Sequence, residues 1–272
     1  MKFQVRFENF PSPDGLLRHG LLPWDTETFG FPVHEIQIPD DALAALDQHL
    51  PQLCNCLSRT RPALLVCKVP LAAVAKPGRS LSRHGFYVVE TLIEVHMALA
   101  QVKPFAPRLT QDLSLRQARP EDLPALVRMA QHAFRKDRFH ADPNLSQASA
   151  DRRFEAWVRR GLQAQDPVFI VEARGSSGAL GFFHVREATG AQKTVDLSLA
   201  AVDPSYQKTG LGVLLYQMVL LECGTKGFEF AESRVSVANG DVLNLFTRLG
   251  FSLRNPVVTF HCYLDHAKPK HG

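Results

Sequence analysis

Leu199-Ala200-Ala201-Val202-Asp203-Pro204-Ser205-Tyr206-Gln207-Lys208-Thr209-Gly210-Leu211-Gly212-Val213-Leu214-Leu215 is the run from which the architecture is read. An apolar strand is stopped by Asp203-Pro204, and a loop with two glycines then opens directly into an apolar helix. At such a junction the first backbone amides of the helix have no internal acceptor. They favour an anion, and the helix dipole adds to the effect. Gly210 and Gly212 remove side chains where a phosphate needs close backbone approach, and Lys208 adds charge at the rim. The loop has neither the Gly-Lys-Ser/Thr spacing of a Walker loop nor a G-x-G-x-x-G. On the glycines alone, a plain strand–turn–helix joint reads equally well.

Downstream, the spacing predicts a helix over 212–226, a strand at 233–237, a helix over 239–249 closed by Gly250, and a strand at 257–263. Upstream lie three strands at 168–173, 180–186 and 194–202. Their connections, Gly175-Ser176-Ser177-Gly178 and Ala188-Thr189-Gly190, suit antiparallel hairpins. Before them come a strand at 113–117 and a helix over 121–134 with Leu123, Leu126, Val127, Ala130 and Phe134 at helical spacing. A second helix, capped by Ser146 or Ser149, carries Phe154, Trp157, Val158 and Leu162 on one face. The order β-α-α-β-β-β-α-β-α-β is an α/β chain with a mixed sheet flanked by helices.

Pro104 and Pro107 mark a boundary within 102–112, which divides a smaller α/β N-terminal domain, 1–101, from a domain over 113–265. In the first, 33–38, 63–69 and 86–99 read as strands, the last with one or two register changes, and 42–57 as an amphipathic helix. Residues 71–83 are ambiguous because Pro77 and Gly78 interrupt them.

Composition excludes several classes. The 272 residues are 45% hydrophobic with no apolar stretch long enough to span a membrane. The N-terminus lacks a signal-peptide core, so a cytoplasmic location is expected. The net charge of +4 is scattered, with no aromatic interleaving, which argues against nucleic acid as a partner. Cys54 and Cys56 are too close for C-x-x-C and no second pair follows. Reduced thiols and no bound metal are expected.

Val202-x-Pro204-x-x-Gln207-x-x-Gly210-x-Gly212 resembles motif A of the GNAT acetyltransferases, V-x-P-x-x-[QR]-x-x-G-x-[GA]. Asn239 with Leu245, Phe246, Leu249, Gly250 and Phe251 resembles motif B, in the expected order. The resemblance implies a GNAT-type fold and an N-acyltransferase using acetyl-coenzyme A. It implies that the strand bearing Leu199, Ala201 and Val202 parts from its neighbour and pairs with the pantetheine arm. Gln207, Lys208, Thr209, Gly210, Leu211, Gly212 and Val213 would cradle the pyrophosphate, and Asn239 would reach the pantetheine. Direct attack of an amine on the thioester is the implied chemistry.

The chain departs from the family where many relatives carry a thiolate-protonating tyrosine; here that position, counted among the cofactor-binding set, is Phe246. Tyr206, Tyr216 and Tyr263 are replacement acids by chemistry alone, and no catalytic residue is assigned. For the general base, His140, His184, Asp196, Ser198 and His261 stay open, each more simply read as an ordinary polar group.

Leu22-Pro23-Trp24-Asp25-Thr26-Glu27-Thr28-Phe29-Gly30-Phe31-Pro32 reads physically as a packed turn. It also resembles the opening of the TDP-fucosamine acetyltransferase branch, as do Arg138-Phe139-His140-Ala141-Asp142-Pro143 and Val258-Thr259-Phe260-His261-Cys262-Tyr263. This implies an amino-sugar acceptor linked to a nucleotide. The rival readings are a protein or small-amine acetyltransferase and a noncatalytic coenzyme A-binding module. The helix after Gly212 is apolar on nearly every side and needs cover, from the N-terminal domain or from a second subunit in a homodimer.

Overall fold

Period-two and helical patterns give eleven strands and seven helices in a computed structural model that describes residues 5–11, 16–58, 63–104, 110–175, 178–188 and 192–264. The strands are β1 Glu8–Phe10, β2 Leu17–Leu21, β3 Val33–Gln37, β4 Leu64–Pro70, β5 Tyr87–Ala98, β6 Leu113–Gln117, β7 Val168–Ala173, β8 Ala179–Glu187, β9 Thr194–Val202, β10 Phe230–Ser236 and β11 Ser252–Tyr263. The helices are α1 Pro23–Phe29, α2 Leu46–Ser58, α3 Ala75–Arg83, α4 Leu123–Ala133, α5 Gln147–Gln163, α6 Leu211–Thr225 and α7 Gly240–Leu249.

All eleven strands join one sheet in the order β1-β2-β3-β4-β11-β5-β10-β9-β8-β7-β6. Two stretches repeat one plan. β3-α2-β4-α3-β5 and β9-α6-β10-α7-β11 each begin with a parallel strand pair joined through a helix. Their last strands are exchanged: β11 is antiparallel to both β4 and β5, and β5 is antiparallel to β10. The proline-bearing boundary thus separates stretches of sequence whose strands interleave in space; residues 105–109 of it lie outside the described residues.

One sheet face carries α2 and α3, which bury Leu50, Leu53 and Leu81 on Leu65, Cys67, Val258 and Phe260. On the same face α6 and α7 bury Leu215, Val219 and Phe246 against Val95, Met97, Ala231 and Val235. The opposite face carries α4 and α5, through Leu126, Met129, Phe154 and Val158, and the connection holding Phe139 and Leu145. Cover for α6 comes from the sheet, α7 and the 3₁₀ turn Leu99–Gln101, with Gln217 Nε2 donating to the Lys103 carbonyl.

Two readings are corrected. The segment expected to be a packed turn contains α1, with Pro23 at its first position and Gly30 closing it at φ 77°. The ambiguous stretch forms the 3₁₀ turn Leu71–Ala73 and then α3. Pro77 falls in the first turn of α3, where the missing N–H has no intrahelical acceptor to lose. Ser146 is the cap of α5, accepting from the Ser149 amide at 3.2 Å. Of the expected hairpin connections, 176–177 and 189–191 lie outside the described residues.

Candidate active site

The central feature is an opening between two parallel strands. β9 pairs with β10 only from Thr194 to Asp196, opposite Phe230 to Glu232. The β8–β9 register then shifts between Leu197 and Leu199, which makes Ser198 the extra residue of a bulge. A bulge bends its strand and increases local twist, here turning β9 away from β10. Ser233 Oγ donates to the Leu197 carbonyl at 2.8 Å and closes the inner end of the opening. Beyond the bulge, Leu199 and Ala201 pack toward α4 and α5, while Ala200 and Val202 turn toward α6.

The loop at the outer end is tightly wound. Asp203 Oδ1 accepts from the Ser205 amide at 3.0 Å, and the 3₁₀ turn Pro204–Tyr206 follows. Thr209 Oγ1 donates to the Tyr206 carbonyl at 2.7 Å. Lys208 and Gly210 adopt φ of 64° and 90°, the left-handed region where glycine is favoured. Among the described residues, the amides of Lys208, Thr209, Gly210 and Gly212 find no acceptor, and they gather at the start of α6. A Cβ added at Gly210 would meet nothing within 4 Å. At Gly212 it would come no nearer than 3.8 Å to Leu245 and 3.9 Å to Val202. Internal packing does not demand glycine at 212, and the space left over suits an approaching phosphate. The same contacts bring the end of β9, the start of α6 and α7 together. Asn239 stands at the N-terminal boundary of α7 without a side-chain capping bond, its amide donating to the Ser236 carbonyl at 2.9 Å. These residues fit the diphosphate and pantetheine of a coenzyme A thioester.

At the inner end stands a polar cluster. Arg186 Nη2 donates to Asp196 Oδ2 at 2.7 Å and its Nε to Ser198 Oγ at 2.8 Å; Ser198 Oγ donates to Asp196 Oδ2 at 2.8 Å. Glu232 faces Asp196 across the last ladder pair, and its carboxylate makes no hydrogen bond or ion pair to the described residues. Glu232 and Arg186 were not singled out in the sequence. The alternation Ala231-Glu232-Ser233-Arg234-Val235, with its odd-numbered members buried, is the signal that marks Glu232 as facing away from the α6 core.

The other candidates are buried or distant from this cluster. His184 and His261 are 1% and 0% exposed. Burial lowers the pKa of each, and hydrogen bonds to Asp166 and Asp142 only partly offset it. His140 is wedged between Asp137 and Asp151; burial opposes its protonation, but the two carboxylates outweigh burial and raise its pKa. Tyr263 donates to Asp142 at 3.2 Å, and burial pushes its phenol pKa up. Tyr206 is exposed on the loop. Tyr216 stands edge-on to Phe183 and Phe246, and burial raises its pKa. Phe246 is 1% exposed, its ring 4.7 Å from that of Phe251, and is an interior residue of the core that α6 and α7 cover.

The aromatic N-terminal segment and the loop after α4 meet directly. Asp25 is fully buried and accepts from Arg153 Nε at 2.8 Å and Arg138 Nη2 at 3.4 Å. Arg138 and Arg153 both lie over the Phe139 ring. Asp142 accepts from Tyr87 at 2.8 Å, alongside Tyr263 and His261. These contacts fasten the loop to both stretches of the sheet.

No helix among the described residues is long and apolar enough to cross a membrane, and no group of three or more metal-ligating side chains occurs there. None of the five cysteines forms a disulfide among the described residues.

Comparison with known proteins agrees with this geometry. Mycothiol acetyltransferase of Propionibacterium freudenreichii subsp. shermanii is 26% identical over 172 residues, 62% of this chain and 52% of the relative. The chain thus spans about half the length of the curated relative it matches. A GCN5-related N-acetyltransferase structure from Sphaerobacter thermophilus superposes with a TM-score of 0.69 at 16% identity, covering 95% of this chain and 79% of that one. A tandem GNAT protein from the clavulanic acid biosynthesis pathway superposes with a TM-score of 0.57 at 13% identity, covering 92% and 79%. The acetyltransferase (GNAT) domain model matches residues 112–252, from β6 through the opening and its amide loop to the start of β11. With the loop, the bulge and the parted strands all inside that match, the chain belongs to the GNAT acetyltransferase family.

Proposed function

We propose that the protein transfers the acetyl group of acetyl-coenzyme A to the amine of an amino sugar linked to a nucleotide. The observation that carries this reading is the early end of the β9–β10 ladder at Asp196 and Glu232, with unengaged amides at the other end of the same opening. In this reading the free amides of Lys208, Thr209, Gly210 and Gly212 hold the diphosphate, those of Gln207, Leu211 and Val213 being bonded within the loop and helix, and the free edge at Leu199, Ala201 and Val202, with Asn239, holds the pantetheine. When bound, the thioester supplies the electrophilic carbonyl. The opening fixes the approach of the amine, which lowers the entropic cost of a bimolecular step. Glu232 accepts the ammonium proton, directly or through one water, while Arg186 and Ser198 hold Asp196 beside it. Phe246 carries no proton, so the departing thiolate is protonated from solvent; a thiol pKa near 8.5 makes that route adequate.

The amino-sugar part rests on the branch-like segments around Asp25 and Arg138, which meet on the sheet face opposite α6. The test is thiol release from acetyl-coenzyme A against amino sugars, their nucleotide conjugates, simple amines and peptides. Acetylation of a nucleotide-linked amino sugar is expected. Activity on peptides or simple amines alone would replace the acceptor class. Tight coenzyme A binding with no acceptor would favour the noncatalytic reading.

A further inference from the structure

The sheet face opposite α6 and α7 is rich in cations, and nearly all of them are engaged. Lys68 meets Glu35 at 2.9 Å, Arg186 meets Asp196 at 2.7 Å, and Arg254 meets Glu94 at 2.6 Å. Arg138 and Arg153 share Asp25 at 3.4 and 2.8 Å. Arg234 is the exception: it has no hydrogen bond or ion pair to the described residues, and it is exposed. Its position makes this informative. β10 is a central strand of the eleven, with β5 on one side and β9 on the other. Ala231, Ser233 and Val235 are buried toward α6, so by alternation Arg234 projects from the opposite face, the same one as Glu232. Its ladder partner Glu94 is already committed to Arg254. Lys68, whose pKa is lowered first by burial and then by Arg138 and Arg234, lies close enough to feel both arginines, but it and Arg138 are already balanced by Glu35 and Asp25, with Glu90 beside them.

We infer that Arg234 binds a phosphate carried by the acceptor, attached about one sugar ring away from the amine that is acetylated. Two residues along a strand separate Glu232 from Arg234, a distance of about 7 Å. A pyranose with its amine at Glu232 places a phosphate on the far side of the ring within reach of the guanidinium. The planar fork of arginine matches two phosphate oxygens at once, which a solvated surface lysine does not. The inference rests on the proposed acetyl transfer for its placement of the amine, and it narrows the acceptor to an amino-sugar phosphate or its nucleotide ester.

The test uses the full chain saturated with coenzyme A and compares binding of 4-amino-4-deoxyglucose 1-phosphate, whose amine and phosphate lie across the ring from each other, with binding of 4-amino-4-deoxyglucose by calorimetry. The wild type should bind the phosphate ester at least about tenfold more tightly. Arg234→Met should shrink that gap to less than about threefold, and Arg234→Lys should leave an intermediate gap, because the charge remains and the fork is lost. Melting temperature and coenzyme A affinity should stay at wild-type values in both variants. Equal affinity of the wild type for the two sugars would overturn the inference, as would an unchanged gap in Arg234→Met. Thiol release on the same samples separates the two levels of the argument. An Arg234-dependent gap without acetyl transfer would remove the proposed activity and leave the phosphate site standing. Transfer without the gap would do the reverse.

Discussion

The stretches β3-α2-β4-α3-β5 and β9-α6-β10-α7-β11 share element order and parallel pairing, yet only the second opens. β3 stays paired with β4 from Val33 to Ile36, nearly its full length, with no register shift. β9 leaves β10 after three of its nine residues, where Ser198 bulges. The helix entries differ in charge as well. After β3 come Asp40, Asp41 and then Asp47, whose carboxylates answer the positive end of the helix from within the chain and repel a phosphate. After β9 the one acid before the helix, Asp203, accepts from the Ser205 amide, and the first turn of α6, reached through Lys208, Gly210 and Gly212, carries none, leaving the amides for a ligand. Topology alone therefore does not make the opening with its free amides. A one-residue bulge and the removal of acids from one turn do.

The comparison is broken most completely by separating the halves. Residues 113–272 alone should lose cooperative unfolding, because β10 then faces water along its β5 edge and β11 has neither β4 nor β5. A sharp melting transition in the fragment would show that exchanged strands are dispensable. Next in size is Gly212→Asp, where the added Cβ has room but the carboxylate meets the amides that would hold a diphosphate. Coenzyme A affinity should fall about a hundredfold or more, several kcal/mol, with the melting temperature near wild type. The wild type should titrate at one coenzyme A per chain; two equivalent sites would mean that the acidic entry after β3 binds as well.

Smaller effects probe what ties the stretches together. Asp25→Ala leaves Arg138 and Arg153 without their buried carboxylate and should cost about 3–5 kcal/mol in denaturant unfolding. A loss below about 1 kcal/mol would mark the pair as ornamental. The smallest expected effect is that of His140, whose pKa is raised in the folded state by Asp137 and Asp151 despite burial. Its stabilising contribution is complete below the unfolded value near 6.5 and is lost as pH rises through the higher folded value. The melting temperature should therefore decline above about pH 6.5 in the wild type, and His140→Gln should flatten that part of the profile. Parallel profiles would exclude His140 as the source.

Local patterns announced the strand, amide loop and helix around Gly210, because the stop at Asp203-Pro204 and both glycines are contiguous in the chain. The strands from β7 to β9 were equally legible from their alternation. The position of β11 was not, since its apolar residues do not say that it enters between β4 and β5. The opening was legible only through resemblance, as a bulge at Ser198 leaves no mark in Ser-Leu-Ala-Ala. Glu232 and Arg234 carry no signal in the sequence, because charged residues on a central strand look like solvated ones until the strand's neighbours are known. Asp25 was hidden within a segment read as a turn, and its partners lie 113 and 128 residues away.

The exchange of final strands also sets a timetable. β5 is synthesised some 150 residues before β11, the strand that must slide between it and β4, so the early part of the chain waits with two apolar edges uncovered. Neither stretch can finish its sheet before residues 252–263 have been made, and closure becomes a single late event shared by both. Contacts so distant in sequence slow the search for the native state. The interval before closure is when β4 and β5 are most open to pairing with another chain.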